Sequence, residues 1–406
     1  MSGAPVSLVL VGIGGMGSVY VQELLRRKDK GIFRIAGAVD PRPERCPQLD
    51  DLRTLGVPVF PGFEEFARNR TAELAVISSP IQFHSDQTRF ALSRGSDVLC
   101  EKPAAGTIQE VRSMMEAERN AGRKVAVGFQ WSWSAAVREL KRDIAHGVFG
   151  RPLRLKCLYL WPRDEAYYLR NDWAGMKRDA GGAWILDSPA NNAMAHDLHN
   201  MFFVLGEEEG RSAIPVRVEA ELYRAAPIEN FDTAAMRAVM RDGAEILFLV
   251  SHVTRREKGP HFEYAFERGV VRCASRLSGI TAEFADGRRK DYGVPDREPM
   301  TKLWQTIDGV RSGTRPPCGL AAAASHTLCV NGMQDSMPRI SQFPEGLARW
   351  SEERGCRRII VDGLDDVLED CYERNALPSE TGVGWGAKGK TVDLSNYASF
   401  PGPGES

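Results

Sequence analysis

Residues 7–12 (Ser-Leu-Val-Leu-Val-Gly) form a short apolar run that stops on a glycine. Gly12, Gly14 and Gly17 then stand at the spacing G-x-G-x-x-G before a helical pattern reaching about Arg27. A second apolar run, residues 35–39, closes on Asp40, 23 residues after Gly17. Strand, glycine turn, helix, strand and acid make a parallel β-α-β unit, and few other patterns restrict a fold so tightly. Gly12 permits the tight turn, Gly14 lets a pyrophosphate approach the backbone, and Gly17 lets the helix pack on the strand. The first helical turn, around Gly15 and Met16, offers N–H groups to that anion. Asp40 is placed to accept hydrogen bonds from a ribose, so a bound dinucleotide is the expectation. A carboxylate there repels a ribose 2'-phosphate and favours NAD, while Arg42 keeps NADP open.

Further strand patterns at residues 58–60, 74–78, 97–100 and 124–129, with helical stretches between, extend the unit into a doubly wound parallel sheet of α/β class. Ligands of such sheets lie beyond the carboxyl ends of the strands. The polar groups there are Ser78, Ser79 beside Pro80, His84, Glu101, Lys102 and Gln130.

Composition narrows the partners. The 406 residues suit two or three domains, and 43% apolar with 26% charged residues is ordinary for a globular protein. With 53 Lys plus Arg against 54 Asp plus Glu, no positive surplus exists for nucleic acid or an anionic membrane. The apolar runs fall short of the ~20 residues of a membrane span. The opening Met-Ser-Gly-Ala-Pro carries no basic leader, so a cytoplasmic location is expected. Eight singly scattered cysteines read as reduced thiols, not as a zinc site or disulfide framework.

The fingerprint Gly12-Ile13-Gly14-Gly15-Met16-Gly17, Ser79-Pro80 followed by His84, Cys100-Glu101-Lys102-Pro103, Gly128-Phe129-Gln130, Gly147-Val148-Phe149-Gly150-Arg151-Pro152 and Gly181-Gly182 occur in this order. Together they resemble the glucose-fructose oxidoreductase and inositol dehydrogenase (Gfo/Idh/MocA) family over about residues 5–335. The resemblance implies an NAD(P)-dependent oxidoreductase acting on a secondary alcohol or ketone of a sugar or polyol. It makes Lys102 the active-site lysine and puts Ser79, Pro80, His84, Glu101, Lys102 and Gln130 around the cofactor. It further implies a Rossmann domain (1–130) and an α+β domain with a large open, mostly antiparallel sheet (131–340). The exposed face of that sheet would mediate a dimer or tetramer. Residues 341–406 lie beyond the resemblance and, being rich in Gly, Ser and Pro, read as a partly extended arm.

The family usually carries Asp-x-Gly-x-His-x-x-Asp at the start of a helix. Here eight residues separate Asp187 from the first histidine. Counting back from Leu205-Gly206 puts His196 at the catalytic histidine, with His199 in place of the final Asp. If residues 191–204 are helical, Asn192, His196 and His199 share one face at i, i+4 and i+7. An imidazole titrates near neutral pH and suits proton transfer, so His196 is the expected acid/base; His199 is a substrate contact or a buried, hydrogen-bonded histidine. Either Asp187 or Asn192 fills the family's substrate-contact position. A metal held by His196, Asp197 and His199 lacks a further ligand nearby, and none is expected.

Residues 161–173 alternate aromatic and charged groups, and Trp161, Arg163, Tyr168 and Trp173 are candidate contacts to a carbohydrate. Strand patterns follow at 216–223, 233–240, 245–253, 262–266, 270–274 and 280–284, then helices at 302–309 and 320–337. Two alternatives stay open: an enzyme that recycles a tightly held NAD without net redox change, and a catalytically silent sugar or nucleotide sensor.

Overall fold

Val6–Val11 (β1) is buried at every position, as a parallel strand with both faces covered must be. It heads a six-stranded sheet with Phe33–Val39 (β2), Val59–Phe60 (β3), Leu74–Ile77 (β4), Asp97–Cys100 (β5) and Val125–Val127 (β6), in the order β3-β2-β1-β4-β5-β6. Every pairing in it is parallel, so the doubly wound sheet of the sequence reading is present. The order reverses at β1 and β4, which leaves a crevice at the ends of these two strands.

The computed structural model describes residues 4–295, 297–353 and 355–401. The chain divides into two compact units: 1–105, 110–133 and 298–323 make the first, and 106–109, 134–297 and 324–406 the second. The first unit therefore takes residues 298–323 from a stretch the sequence reading gave to the second domain. From this returning segment Cys318 accepts the Val127 amide at 2.8 Å, and Trp304 donates its indole N–H to Glu23 at 2.8 Å.

The second unit is built on a mixed, mostly antiparallel sheet. Its strands are Pro152–Leu160 (β7), Pro215–Arg224 (β8), Thr233–Met240 (β9), Glu245–Ser251 (β10), Lys258–Phe266 (β11), Gly269–Cys273 (β12), Ile280–Phe284 (β13), Arg289–Gly293 (β14) and Ser341–Gln342 (β15). They run β14-β13-β12-β11-β7-β10-β9-β8-β15. Only β7 with β10 and β8 with β15 are parallel. Side chains alternate across the sheet with period two, and on β7 this sends Cys157 and Tyr159 one way and Leu158 and Leu160 the other. Asp197, on the helix Ala195–Val204, acts on both Cys157 and Tyr159. That helix is buried along its whole length. Its C-terminal end is held by Lys141, whose buried ammonium donates to the carbonyls of Phe203, Gly206 and Arg211 at 2.5, 2.7 and 2.8 Å, a cation placed where the helix dipole favours one.

Leu158 and Leu160 point to the other face, where the structure departs from expectation. The C-terminal segment is a folded cover. Ala348–Glu353 (β16) and Cys356–Val361 (β17) form a hairpin, and the helix Leu364–Arg374 follows. Ile359, Val361, Leu364, Leu368, Cys371, Tyr372 and Leu377 pack in one core with Leu158, Leu160, Tyr223, Ala235, Leu247 and Leu249 of the sheet. The chain then adds a short edge strand, Val392–Asp393 (β18), to β8, and Phe400 packs edge-on against Trp184. At roughly 1.5–3 kcal/mol per buried large aliphatic side chain, this cover rivals the whole stability of an ordinary domain, about 5–15 kcal/mol. The apolar half of the face expected to be open for subunit contacts is thus occupied by the chain itself. The other half is laced with ion pairs, among them Lys156–Glu263 at 3.7 Å, Arg272–Glu263 at 2.9 Å and Arg289–Glu283 at 3.2 Å.

Candidate active site

The glycine turn shows which of its glycines the protein itself requires. A Cβ on Gly12 would lie 2.8 Å from the Ser79 amide nitrogen, and one on Gly17 would lie 2.1 Å from the Gly12 carbonyl. Backbone packing alone forbids both. A Cβ on Gly14 would meet nothing closer than 3.6 Å, and one on Gly15 nothing within 4 Å, which leaves clear space at the start of the helix Met16–Arg26. No side chain caps this helix start, so the turn fits an incoming pyrophosphate. Asp40 is pinned beside it: Oδ2 accepts the amides of Ile13 and Gly14 at 2.9 and 3.3 Å, and Oδ1 accepts that of Arg42 at 2.8 Å. A carboxylate has about four lone-pair positions, so capacity remains for a ribose hydroxyl. The end of β4 is tied in as well, with Ser78 Oγ donating to the Gly12 carbonyl at 2.8 Å and Ser79 Oγ to Gln87 at 2.6 Å. Pro80 leads into a short turn, Ile81–Phe83, and Gln130 opens another, Gln130–Trp133.

Glu101 and His84 act inside the protein. The Glu101 carboxylate is buried; it accepts the Tyr20 hydroxyl at 2.6 Å and the Lys102 amide at 3.1 Å and forms an ion pair with Lys302, only 1% exposed. Burial raises its pKa, but the Lys302 ammonium outweighs that and holds the carboxyl below its usual range. Gly128 packs closely here: a Cβ would lie 3.0 Å from the carboxylate, which would have to give way. The His84 ring lies between the Pro103 and Ser79 carbonyls at 2.8 and 2.9 Å. Burial pushes its pKa down against the pull of these two acceptors. Both side chains flank partly buried Lys102 and fix the loop that carries it, and the Lys102–Pro103 peptide in this loop is cis.

In the second unit, the long spacing after Asp187 is absorbed by a wide turn. Pro189–Ala193 is one π-helical turn, and the α-helix begins only at Ala195. The expected single helix over 191–204 is therefore broken at Met194. The extra residues enter as a π turn, a distortion frequent at functional sites. Leu186 holds a left-handed φ of 53°, costly for a leucine, and is clamped by Asn191, whose Nδ2 donates to the Ile185 and Leu186 carbonyls. Asp187 and Asn192, the two candidates for one position, are partners: Asn192 Nδ2 donates to Asp187 Oδ1 at 2.8 Å. Asp187 is 2% exposed, and its Oδ2 accepts the Gly175 amide at 2.6 Å, whereas Asn192 is only partly buried. His196, 8% exposed, sits one residue into the helix; His199, 0% exposed, is inside the core. His199 stacks on Phe203 at 5.7 Å, and burial, helped by His326 and Lys141, keeps its pKa well below the ordinary value. Its burial is that of the second of the two readings, a histidine inside the core.

The aromatic and charged run folds into a ladder. Tyr159 stacks on Trp161 at 5.2 Å; Arg163 lies 3.6 Å over Trp161 and 4.5 Å over Tyr167; Arg170 lies 3.8 Å over Tyr167 and 5.3 Å over Trp173. A short helix, Glu165–Leu169, capped by the Asp164 carboxylate on the Tyr167 amide, sets this alternation. Tyr168 departs from the expected surface: it hydrogen-bonds His252 at 3.1 Å and packs against the C-terminal core. Tyr167 takes the place in the ladder, since 163, 167 and 170 follow helical spacing, a signal present in the sequence. Arg276, 4.8 Å over Trp161, and Lys302 were missed, because each comes from more than a hundred residues away.

Among the described residues no cluster of His, Cys, Asp or Glu could hold a metal ion, and no helix is long and apolar enough to cross a membrane.

Residues 6–129 match the model of an oxidoreductase family with an NAD-binding Rossmann fold. Residues 137–272 match the GFO/IDH/MocA C-terminal domain. The chain belongs to this family, and its first unit carries an NAD-binding Rossmann domain. It is 31% identical over 148 residues to a 1,5-anhydro-D-fructose reductase of Ensifer adhaerens, covering 36% of this chain and 41% of that protein, so it spans about two-fifths of that relative's length. It is 29% identical over 352 residues to an inositol 2-dehydrogenase of Pseudomonas fluorescens, covering 80% and 94% of the two chains. Among solved structures, the WlbA dehydrogenase of Bordetella pertussis in complex with NADH and UDP-GlcNAcA is similar with TM-score 0.66 and 21% identity, over 82% of this chain and 97% of that one. An oxidoreductase of Agrobacterium radiobacter in complex with NAD+, L-tartaric acid and magnesium gives TM-score 0.65 at 17% identity, over 81% and 96%.

Proposed function

We propose that this chain is an NAD-dependent dehydrogenase that oxidises a secondary alcohol of a sugar, polyol or related carbohydrate, or reduces the corresponding ketone. The observation that carries the reading is how Lys102 is held: a buried, ion-paired Glu101 precedes it, His84 braces Pro103 after it, and the loop leaves the same sheet as the glycine turn. The relatives named inositol 2-dehydrogenase and 1,5-anhydro-D-fructose reductase support the carbohydrate class. Asp40 supports NAD over NADP, because its carboxylate is fixed by three backbone amides where a 2'-phosphate would bring further negative charge.

When bound, the nicotinamide accepts or returns a hydride at C4. Lys102 donates a hydrogen bond to the reacting oxygen and eases its developing negative charge. His196 takes the hydroxyl proton on a ring nitrogen as the carbon loses its hydride, leaving a ketone and, in balance, one reduced nicotinamide. Asn192 meets the substrate's hydroxyls, and Asp187 acts through it by holding the amide in one orientation. Lys102→Ala should lower turnover by at least about 100-fold while NAD binding, measured by calorimetry, stays near that of the parent. Unimpaired turnover in this variant would refute the assignment.

A further inference from the structure

Two guanidinium groups in the second unit lie on one indole. Arg163 and Arg276 stand 3.6 and 4.8 Å from the Trp161 centroid, and both Nε atoms are buried from water without a hydrogen-bond acceptor. Among the described residues neither side chain makes an ion pair. Three nearby acids are engaged elsewhere: Asp164 caps the Tyr167 amide at 2.9 Å, Glu165 pairs with Arg357 at 3.3 Å, and Asp187 holds Gly175 and Asn192. Arg170, the third cation of the ladder, stands 4.0 Å from Asp187. Both side chains are half-buried, and a buried N–H such as their Nε ordinarily finds an acceptor. Stacking on Trp161 and Tyr167 eases the cost through the ring faces, but it gives the in-plane N–H groups nothing to bond. A planar guanidinium with unused donors matches the oxygens of a carboxylate or phosphate.

We propose that the carbohydrate used by this chain is acidic, and that its carboxylate or phosphate docks on Arg163 and Arg276 beside the Trp161 indole. This rests on the dehydrogenase reading above and adds the substrate's charge to it. Arg163 and Arg276 are specificity residues. They bind the anionic group, while the reacting carbon and its proton belong to Lys102 and His196.

The test uses the full chain with NAD and matched compounds: D-glucose, D-gluconate, D-glucuronate, D-glucose 6-phosphate and myo-inositol. NADH formation is followed, and binding of each compound to the NADH-loaded protein is measured by calorimetry. The expected result is kcat/KM at least about 100-fold higher for an acidic compound than for its neutral counterpart; whether the sugar acids or the sugar phosphate respond identifies the oxyanion. Arg163→Gln and Arg276→Gln should each raise KM for the acid about tenfold or more with kcat and the melting temperature little changed, and Arg163→Lys should restore part of the loss. Equal or better use of the neutral sugars, or an unchanged KM for the acid in both variants, overturns the acidic substrate and leaves the dehydrogenase standing. An acid that binds but yields no NADH supports the docking site and counts against the dehydrogenase. Absence of both binding and turnover across the acids overturns the proposal.

Discussion

The two units hold their functional side chains in different ways. In the first, Asp40, Ser78 and His84 are fixed largely by backbone groups close to strand ends, so an ordinary parallel sheet positions them almost automatically. In the second, Asp187, Asn192 and His196 depend on a π turn, a left-handed leucine and an amide-carboxylate pair. The sheet beneath them is completed by a segment from the far end of the chain. A sheet end is a general-purpose holder of ligands, whereas the second unit's site is assembled from particular side chains and tolerates less change.

Removing residues 341–406 breaks this contrast most severely. It strips the apolar cover from Leu158, Leu160, Leu247 and Leu249, and the truncated chain should be insoluble or lack a cooperative melt. A soluble truncation with the parent's melting temperature would mean that the cover is dispensable. With the cover in place, the apolar half of the face is closed to a second copy of the chain.

Next in size is the buried Glu101–Lys302 ion pair of the first unit. Lys302→Met leaves Glu101 charged and without its cation, which should cost about 3–5 kcal/mol of stability, read by chemical denaturation. A loss under about 1 kcal/mol, the usual worth of an exposed pair, would show that Glu101 is not anchored in this way.

A smaller effect, common to both units, is the response to acid. His84, His199 and His252 are kept below the ordinary histidine value chiefly by burial. As pH falls below about 6.5, the unfolded chain binds protons that the folded chain refuses, and stability drops. Glu101, held low by Lys302 against its burial, stabilises the fold above the ordinary carboxylate range and adds a further loss as it is forced to protonate. The melting temperature should decline steadily from about pH 7 to pH 5; a flat profile would contradict these burials.

Much of the first unit was legible in sequence because its pattern is local. The six strands, the roles of Gly12 and Gly17 and the place of Asp40 follow from spacing within short windows. Glu101 and His84 were located but not understood, since Lys302 and the carbonyl of Pro103 are partners that only tertiary structure supplies. In the second unit the strands at Thr233–Met240 and Ile280–Phe284 coincide with their sequence patterns; in Ile280–Phe284 the alternation of buried and exposed residues survives in one dimension. The π turn was invisible, as an insertion in a helix start has no periodic signature. Sequence alone does not separate Tyr168 from Tyr167, because two adjacent tyrosines differ only in which face of a short helix they occupy. The Gly, Ser and Pro content of the C-terminal cover suggests an arm, although residues 356–377 carry the apolar side chains that reach the sheet.

The most direct measurement is the near-ultraviolet absorbance of NADH as the purified chain meets NAD and a panel of sugars, polyols and sugar acids, with parallel chromatography of each mixture. The account predicts NADH formed mole for mole with an oxidised carbohydrate, and its loss in Lys102→Ala. Substrate consumed without NADH, or NADH formed equally well by Lys102→Ala, would contradict it.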